Sequence, residues 1–180
     1  MAVTTKGDGF KVSSLRARGP FILGGRAYQG GATVRTELTK AITGFTDTTA
    51  KDVLTVTVPN ATHTAFMIIS VLGVMGAGGA VGAGETSRLS QYQLVVTRTS
   101  GLAAVITLSS AVGGVQSKVA GADNITSVVV TASSVTGANS ATQTFTVKVA
   151  ITKAAGAADN HTAVFSATLT NQNAAGCTFV

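Results

Sequence analysis

The chain of 180 residues has no tryptophan, one cysteine and two histidines, and only 11% of its residues are charged. The single cysteine, Cys177, excludes an intramolecular disulfide, and we interpret it as a small apolar residue. Metal sites need clustered His, Cys or carboxylate side chains, whereas His63 and His161 stand far apart in the sequence. The sequence therefore predicts no metal and no other cofactor.

The usual catalytic motifs are also missing. The glycine-rich stretch at residues 76–82 lacks the lysine that a phosphate-binding loop places before Ser or Thr. A Ser-His-Asp device needs a histidine oriented by a carboxylate, and the acid nearest to His63 in the sequence is Asp52. We therefore predict that the chain is not an enzyme and has no small-molecule substrate.

The scarcity of charge also constrains the surface. An average domain has about 25% charged residues, and hydrophobic residues make up 45% of this chain. A monomer with so few charges would be poorly solvated. We therefore expect much of the surface to contact other protein, as it would in a homo-oligomer.

The charge that is present is concentrated near the N-terminus. Residues 1–40 hold seven basic and two acidic residues, a net charge of +5, and residues 41–180 add only +1. Arginine beside aromatic residues can bind the phosphates and bases of nucleic acid. However, the rest of the chain has no basic stripe of the kind that nucleic-acid-binding surfaces have. The stretch Phe21-Ile22-Leu23 is aliphatic apart from its first residue, which favours a protein partner over nucleic acid.

Residues 1–31 are interpreted as an extended docking arm. Their glycines and Pro20 prevent a regular helix, yet the apolar clusters between them are atypical of a solvated tail, because such tails have little to bury. We expect the arm to become ordered against a partner, with arginines pairing with acids and apolar side chains filling pockets. The predicted partner-binding residues are Phe10, Leu15, Arg16, Arg18, Phe21, Ile22, Leu23, Arg26 and Tyr28.

Residues 32–180 have the pattern of a β domain, in which apolar and Thr-rich positions alternate with period 2. The predicted strands are 32–38, 52–58, 65–75, 88–99, 102–109, 115–119, 124–132, 141–151 and 161–171. Turn residues such as Gly113-Gly114 separate them, and residues 37–44 are interpreted as a turn. Eight or nine strands without a clear helix predict an all-β antiparallel sandwich, or a jelly roll, that carries the N-terminal arm.

Membrane insertion and secretion are not indicated. Residues 65–83 are uncharged and long enough to span a bilayer, but their second half is Gly and Ala, so a buried strand leading into a glycine-rich loop fits better. The first ten residues, MAVTTKGDGF, contain no apolar core of the signal-peptide kind.

The chain resembles small structural proteins of tailed-bacteriophage virions. The resembling features are the opening Met1-Ala-Val-Thr-Thr5, the Gly/Arg arm, the stretch ITGFTDTTAKDVLTVTVPNATHTA at residues 42–65, and the end Cys177-Thr-Phe-Val180. The resemblance is one of style and composition and has no diagnostic motif. It implies β-sandwich homo-oligomers, often trimers, that are fixed to a capsid or tail by an N-terminal arm.

Two roles follow from that resemblance. The first is a capsid decoration (cement) subunit that binds the major capsid protein, or another virion protein, through residues 1–31. The alternative is a tail fibre or spike subunit that attaches to the host surface. In both, the protein is part of the virion, assembled in the host cytoplasm. The absence of Trp and the presence of only two Tyr make stacking on sugars poorly supported, so decoration is the role that the sequence favours.

Overall fold

The computed structural model describes residues 33–45, 48–75, 86–118, 125–153, 161–172 and 176–179, and four short strand segments nearer the N-terminus. All the regular structure in these ranges is β-strand. They contain no helix of the length and apolarity needed to cross a membrane.

The described residues contain fourteen strands. They are β1 (Thr4–Thr5), β2 (Phe10–Lys11), β3 (Phe21–Leu23), β4 (Arg26–Gln29), β5 (Thr33–Phe45), β6 (Lys51–Val58), β7 (His63–Met75), β8 (Thr86–Arg98), β9 (Val105–Leu108), β10 (Gly113–Lys118), β11 (Ile125–Ala132), β12 (Gln143–Lys153), β13 (His161–Asn171) and β14 (Thr178–Phe179).

The strands form two main antiparallel sheets. The large sheet has the order β10-β8-β7-β13-β5-β4-β3, with β9 also paired to β8, and the small sheet has the order β11-β12-β6-β14. Strands β1 and β2 pair only with each other. The predicted all-β antiparallel sandwich is therefore confirmed, with β5 to β14 as ten strands where eight or nine were expected.

The core lies between the two sheets. It consists of the side chains at alternate positions along the strands, which point inward. In β12, for example, Phe145, Val147 and Val149 are buried, while Thr146 and Lys148 between them face outward. Strand β6 follows the same rule, but its register to β12 shifts next to Val53. Such a bulge turns an additional side chain inward, and Val53 is accordingly buried beside Leu54.

Two local predictions were wrong. Residues 37–44 form no turn, because β5 runs unbroken from Thr33 to Phe45 and pairs with β13 along most of its length. Glycines 113 and 114 likewise lie inside β10, opposite Gln91 and Ser90 of β8. In both places pairing with a long neighbouring strand outweighs local propensity.

One end of the sandwich, here called the polar end, is formed where β6, β8, β11 and β13 end and β7, β9 and β12 begin. Its longest loop, residues 133–142, needs a glycine at position 137, where φ is +110°. A Cβ atom there would lie 2.9 Å from the carbonyl oxygen of Thr142. The loop conformation therefore depends on Gly137.

We expect Gly137→Ala to lower the free energy of unfolding by about 1–3 kcal/mol, because an L side chain is strained at this φ. Gly113→Ala is the matched control, since a Cβ at position 113 meets no atom within 4 Å, and its effect should stay within about 0.5 kcal/mol. Urea denaturation measures both. Equal effects of the two substitutions would contradict the assignment of strain to Gly137.

Candidate interaction surface

The structure describes the backbone for part of the predicted docking arm. Phe10 lies in β2, Phe21, Ile22 and Leu23 form β3, and Arg26 and Tyr28 lie in β4. Strand β4 pairs with β5 and β3 pairs with β4, so the residues of β3 and β4 extend the large sheet at one edge. Leu15, Arg16 and Arg18 lie outside the described residues. The partner-binding role of these nine residues stays a prediction.

The polar end is organised by a buried arginine. Arg98 is the last residue of β8, and only 3% of it is exposed. Its Nε donates to the carbonyl of Leu102 (3.1 Å), Nη1 to that of Val58 (2.7 Å), and Nη2 to those of Asn139 (2.9 Å) and Ala141 (2.6 Å). None of the carboxylates that the structure describes forms an ion pair with it. The guanidinium therefore joins three chain segments through carbonyl dipoles.

A buried glutamine continues this network. Gln143 accepts a hydrogen bond at Oε1 from the backbone N–H of Ala104 (2.9 Å) and donates from Nε2 to the carbonyl of Gly137 (3.1 Å). The segment before β9 is thereby fixed to the loop before β12. Since Arg98 binds the same two segments, the position of β9 depends on both side chains.

The C-terminal residues are attached at the same end. His63 lies directly opposite Arg98 in the β7–β8 ladder. Its Nδ1 donates to the carbonyl of Ala61 (2.9 Å), so Nε2 is the acceptor for the thiol of Cys177 at 3.3 Å. Asn171 donates from Nδ2 to the Cys177 carbonyl (2.8 Å). The sequence pattern left His63 without a partner because Cys177 is 114 residues away.

The environment of the His63–Cys177 pair disfavours the thiolate. Cys177 is 1% exposed, and burial raises the pKa of its thiol from 9.0 to about 12, although the backbone hydrogen bond and the charge of Arg98 lower it. The thiolate is the reactive form of cysteine, so burial acts against nucleophilic reactivity here. The contacts of the pair attach the C-terminal residues to the polar end.

We expect Arg98→Met to lower the free energy of unfolding by about 3–5 kcal/mol, because it leaves several buried carbonyls without a donor. Lys148→Met is the control, since Lys148 makes an exposed ion pair with Asp52 at 3.0 Å. Its loss should be about 0–1 kcal/mol. Urea denaturation, together with tryptic digestion of the native state, measures the stability of both variants. If the loss for Arg98→Met were no larger than the loss for Lys148→Met, the role of Arg98 at the polar end would be refuted.

The free energy of unfolding should fall as pH rises from about 9 to about 12, because only the native state keeps the Cys177 thiol protonated there. The unfolded state then binds fewer protons than the native state, so high pH favours unfolding. Comparing wild type with Cys177→Ala at pH values across this range cancels the other titrating groups. The hypothesis fails if both proteins lose stability with the same slope.

The outer face of the large sheet, the side turned away from the small sheet, is nearly free of charge among the described residues. On β5, β7 to β10 and β13 the outward rows contain only two charged side chains, Arg35 and Glu37, and these pair with each other at 2.7 Å. The remaining outward positions are Thr, Ser, Gln, Gly and apolar residues. This face thus carries no local net charge.

One continuous apolar row crosses the outer face. Register places five apolar residues side by side on five neighbouring strands: Val115 (β10), Leu89 (β8), Leu72 (β7), Val164 (β13) and Ala41 (β5). Val115 is 70% exposed and Val164 is 42% exposed. We call the five residues from Val115 to Ala41 the apolar row. A separate apolar pair, Phe66 opposite Val95, lies further along the same face.

The outer face of the small sheet is different. It presents threonines opposite threonines, such as Thr55 beside Thr146, and the Asp52–Lys148 ion pair. Val129, 39% exposed, is the one large apolar side chain exposed on this face among the described residues. Thr hydroxyls and charges are compatible with water. The sandwich therefore has one solvated outer face and one that leaves apolar side chains exposed, which is typical of an interaction site.

Sequence periodicity had already separated the inward and outward residues of β8 and β13, but it could not show the apolar row. The prediction of a buried strand at 65–75 was only half right, because β7 buries alternate residues and Ile68 is 43% exposed. Val115, Leu72 and Val164 become neighbours only through strand order. Within the residues that the structure describes, no group of three or more His, Cys, Asp or Glu side chains could hold a metal ion.

No protein-family model matches the chain, and no curated protein matches its sequence. Among solved structures, the tailspike protein of Acinetobacter baumannii phage AM24 matches 78% of this chain and 26% of its own, at 14% identity and a TM-score of 0.48. The tailspike protein of Acinetobacter phage vB_ApiP_P1 matches 98% of this chain and 25% of its own, at 14% identity and a TM-score of 0.27. The chain spans about a quarter of the length of these tailspikes. Similarity at this level does not assign it to a family.

Proposed function

We propose that this chain is a structural subunit of a phage virion, of the tail spike or fibre kind, and that it acts by packing against other protein subunits rather than by catalysis. The observation that carries the proposal is the apolar row on an outer face with no net charge. The resemblance of the sequence to virion structural proteins supplies the biological setting. A catalytic role receives no support from the buried His63–Cys177 pair.

The size of the outer face supports an interface between subunits. Five strands about 4.8 Å apart, each about 35 Å long, cover roughly 700 Å², and a standard interface buries about 800 Å² on each partner. Because the face has no net charge, an identical copy can approach it without like-charge repulsion. Our proposal therefore includes a homo-oligomer, with a trimer favoured by the resemblance.

Decoration of the capsid is the competing role. It is supported by the net charge of +5 on residues 1–40, because capsid exteriors are commonly acidic and opposite charge speeds encounter. Both matched structures are tailspikes, but with TM-scores below 0.5 they do not decide between the two roles. We adopt the spike role because its interface residues are described and can be tested directly.

We expect Val164→Lys to convert an oligomer into monomers, because it places a charge in the middle of the apolar row. Thr55→Lys, on the solvated outer face of the small sheet, should leave the oligomer intact. Analytical ultracentrifugation measures assembly, and thermal unfolding checks that both variants are folded. A wild-type protein that stays monomeric at high concentration, or two variants that assemble equally, would refute this use of the outer face.

Co-sedimentation separates the two virion roles. Purified protein is mixed with host cells and, separately, with capsids that lack it, and each mixture is pelleted. The spike role predicts binding to cells and none to capsids. Binding to capsids at a fixed saturating stoichiometry, lost when residues 2–31 are deleted, would replace it with decoration through the arm.

A further inference from the structure

A second feature, independent of the outer face, is the open edge of the small sheet. Strand β11 is the end strand of that sheet and pairs only with β12 among the described strands. The N–H of Ser133 donates to the carbonyl of Thr146 on the β12 side at 2.8 Å. Since alternate residues of an antiparallel strand face opposite edges, the backbone groups of Val130 and Ala132 point away from β12.

The register at Val128 agrees with this geometry. Its carbonyl accepts a hydrogen bond from the hydroxyl of Tyr92 at 2.7 Å, so it lies outside the β11–β12 ladder. The strand itself contains no charge and no proline. Charge and proline are two of the devices that protect an edge strand from pairing, and β11 has neither. Its one bulge, between Ile125 and Ser127, lies at the other end of the strand from Val130 and Ala132.

A groove runs beside this edge. Strand β11 packs over β8, and β9 lies one strand further out in the large sheet. The inward side chains of β9 are therefore only half covered. The groove between β9 and the end of β11 has a volume of about 510 Å³ and is lined by Ala104, Ile106, Leu108 and residues 131–135. None of these residues is charged.

We propose that this groove binds a single extended polypeptide strand, uncharged and with apolar side chains at alternate positions, which adds to β11 as a fifth strand of the small sheet. A strand about 4.8 Å from β11 lies above β9, since packed sheets are about 10 Å apart. Its N–H and C=O groups pair with those of Val130 and Ala132, and its alternate side chains cover Ile106 and Leu108. Main-chain pairing supplies affinity and the groove selects side chains.

The geometry disfavours the edge of a whole second copy as the occupant. A copy that paired its own β11 with this one, with its large sheet on the same side, would place its β8 where β9 lies. The occupant that avoids this clash is a strand with no second sheet layer behind it. A charged segment is disfavoured, because the groove offers no opposite charge to offset the cost of desolvation.

The test uses a labelled peptide with the sequence of residues 53–58, VLTVTV, followed by two lysines for solubility. From Leu54 to Val58 its side chains alternate between apolar residues and Thr, and only the added lysines are charged. In about 1 mM peptide, hydrogen exchange of the Val130 and Ala132 amides in the full chain should slow at least tenfold. The same peptide with proline in place of Thr55 should bind at least tenfold more weakly.

Three protein variants locate the binding. Leu108→Lys, in the groove floor, and Ser134→Tyr, which fills the groove from its exposed rim, should each weaken peptide binding at least tenfold. Ile68→Lys, an apolar-to-lysine change on the outer face, should have no effect. The proposal is overturned if exchange at Val130 and Ala132 is unchanged by the peptide, if the proline peptide binds equally well, or if Ser134→Tyr binds as wild type does. Oligomer size is not part of this test, so its result is independent of the spike role.

Discussion

The guanidinium of Arg98 is the interaction on which the described end of the sandwich depends. A charge at 3% exposure is expensive to bury, and here it is compensated by carbonyls from β6, from the loop after β8 and from the loop before β12. Arginine suits this position because its planar group presents five donors in fixed directions. A lysine would offer one ammonium group and could not reach all three segments.

The consequences extend to both candidate surfaces. Arg98 fixes the loop that leads to Ala104, and Gln143 binds the N–H of Ala104 at 2.9 Å, so the start of β9 is held in place. Strand β9 then forms one wall of the groove beside β11 and part of the outer face of the large sheet. A buried polar network thereby positions surfaces that are themselves almost entirely uncharged.

The two outer faces of the sandwich show how the same alternation serves two purposes. The inward rows of both sheets are apolar because they share one core. The outward positions of the small sheet are mostly Thr with one ion pair and a single exposed large apolar residue, Val129, whereas those of the large sheet contain the apolar row from Val115 to Ala41. Exposed apolar area is costly in water. A second subunit that covered the apolar row would remove this cost on all five strands.

The sequence by itself determined the class of fold, most strand positions and the buried side of several strands, because period-2 alternation is a local property of the chain. The strand at 161–171 and the inward row of β12 were predicted correctly for that reason. In β6 the alternation put Val53 on the side of the threonines, and the bulge opposite β12 buries it instead. Residues 37–44 and Gly113-Gly114 were wrong, because long partner strands overrode their local preferences. Only the tertiary structure could bring His63 to Cys177, surround Arg98 with carbonyls and align the apolar row. These contacts join residues distant in sequence, and strand order and register, which no local pattern encodes, place them together.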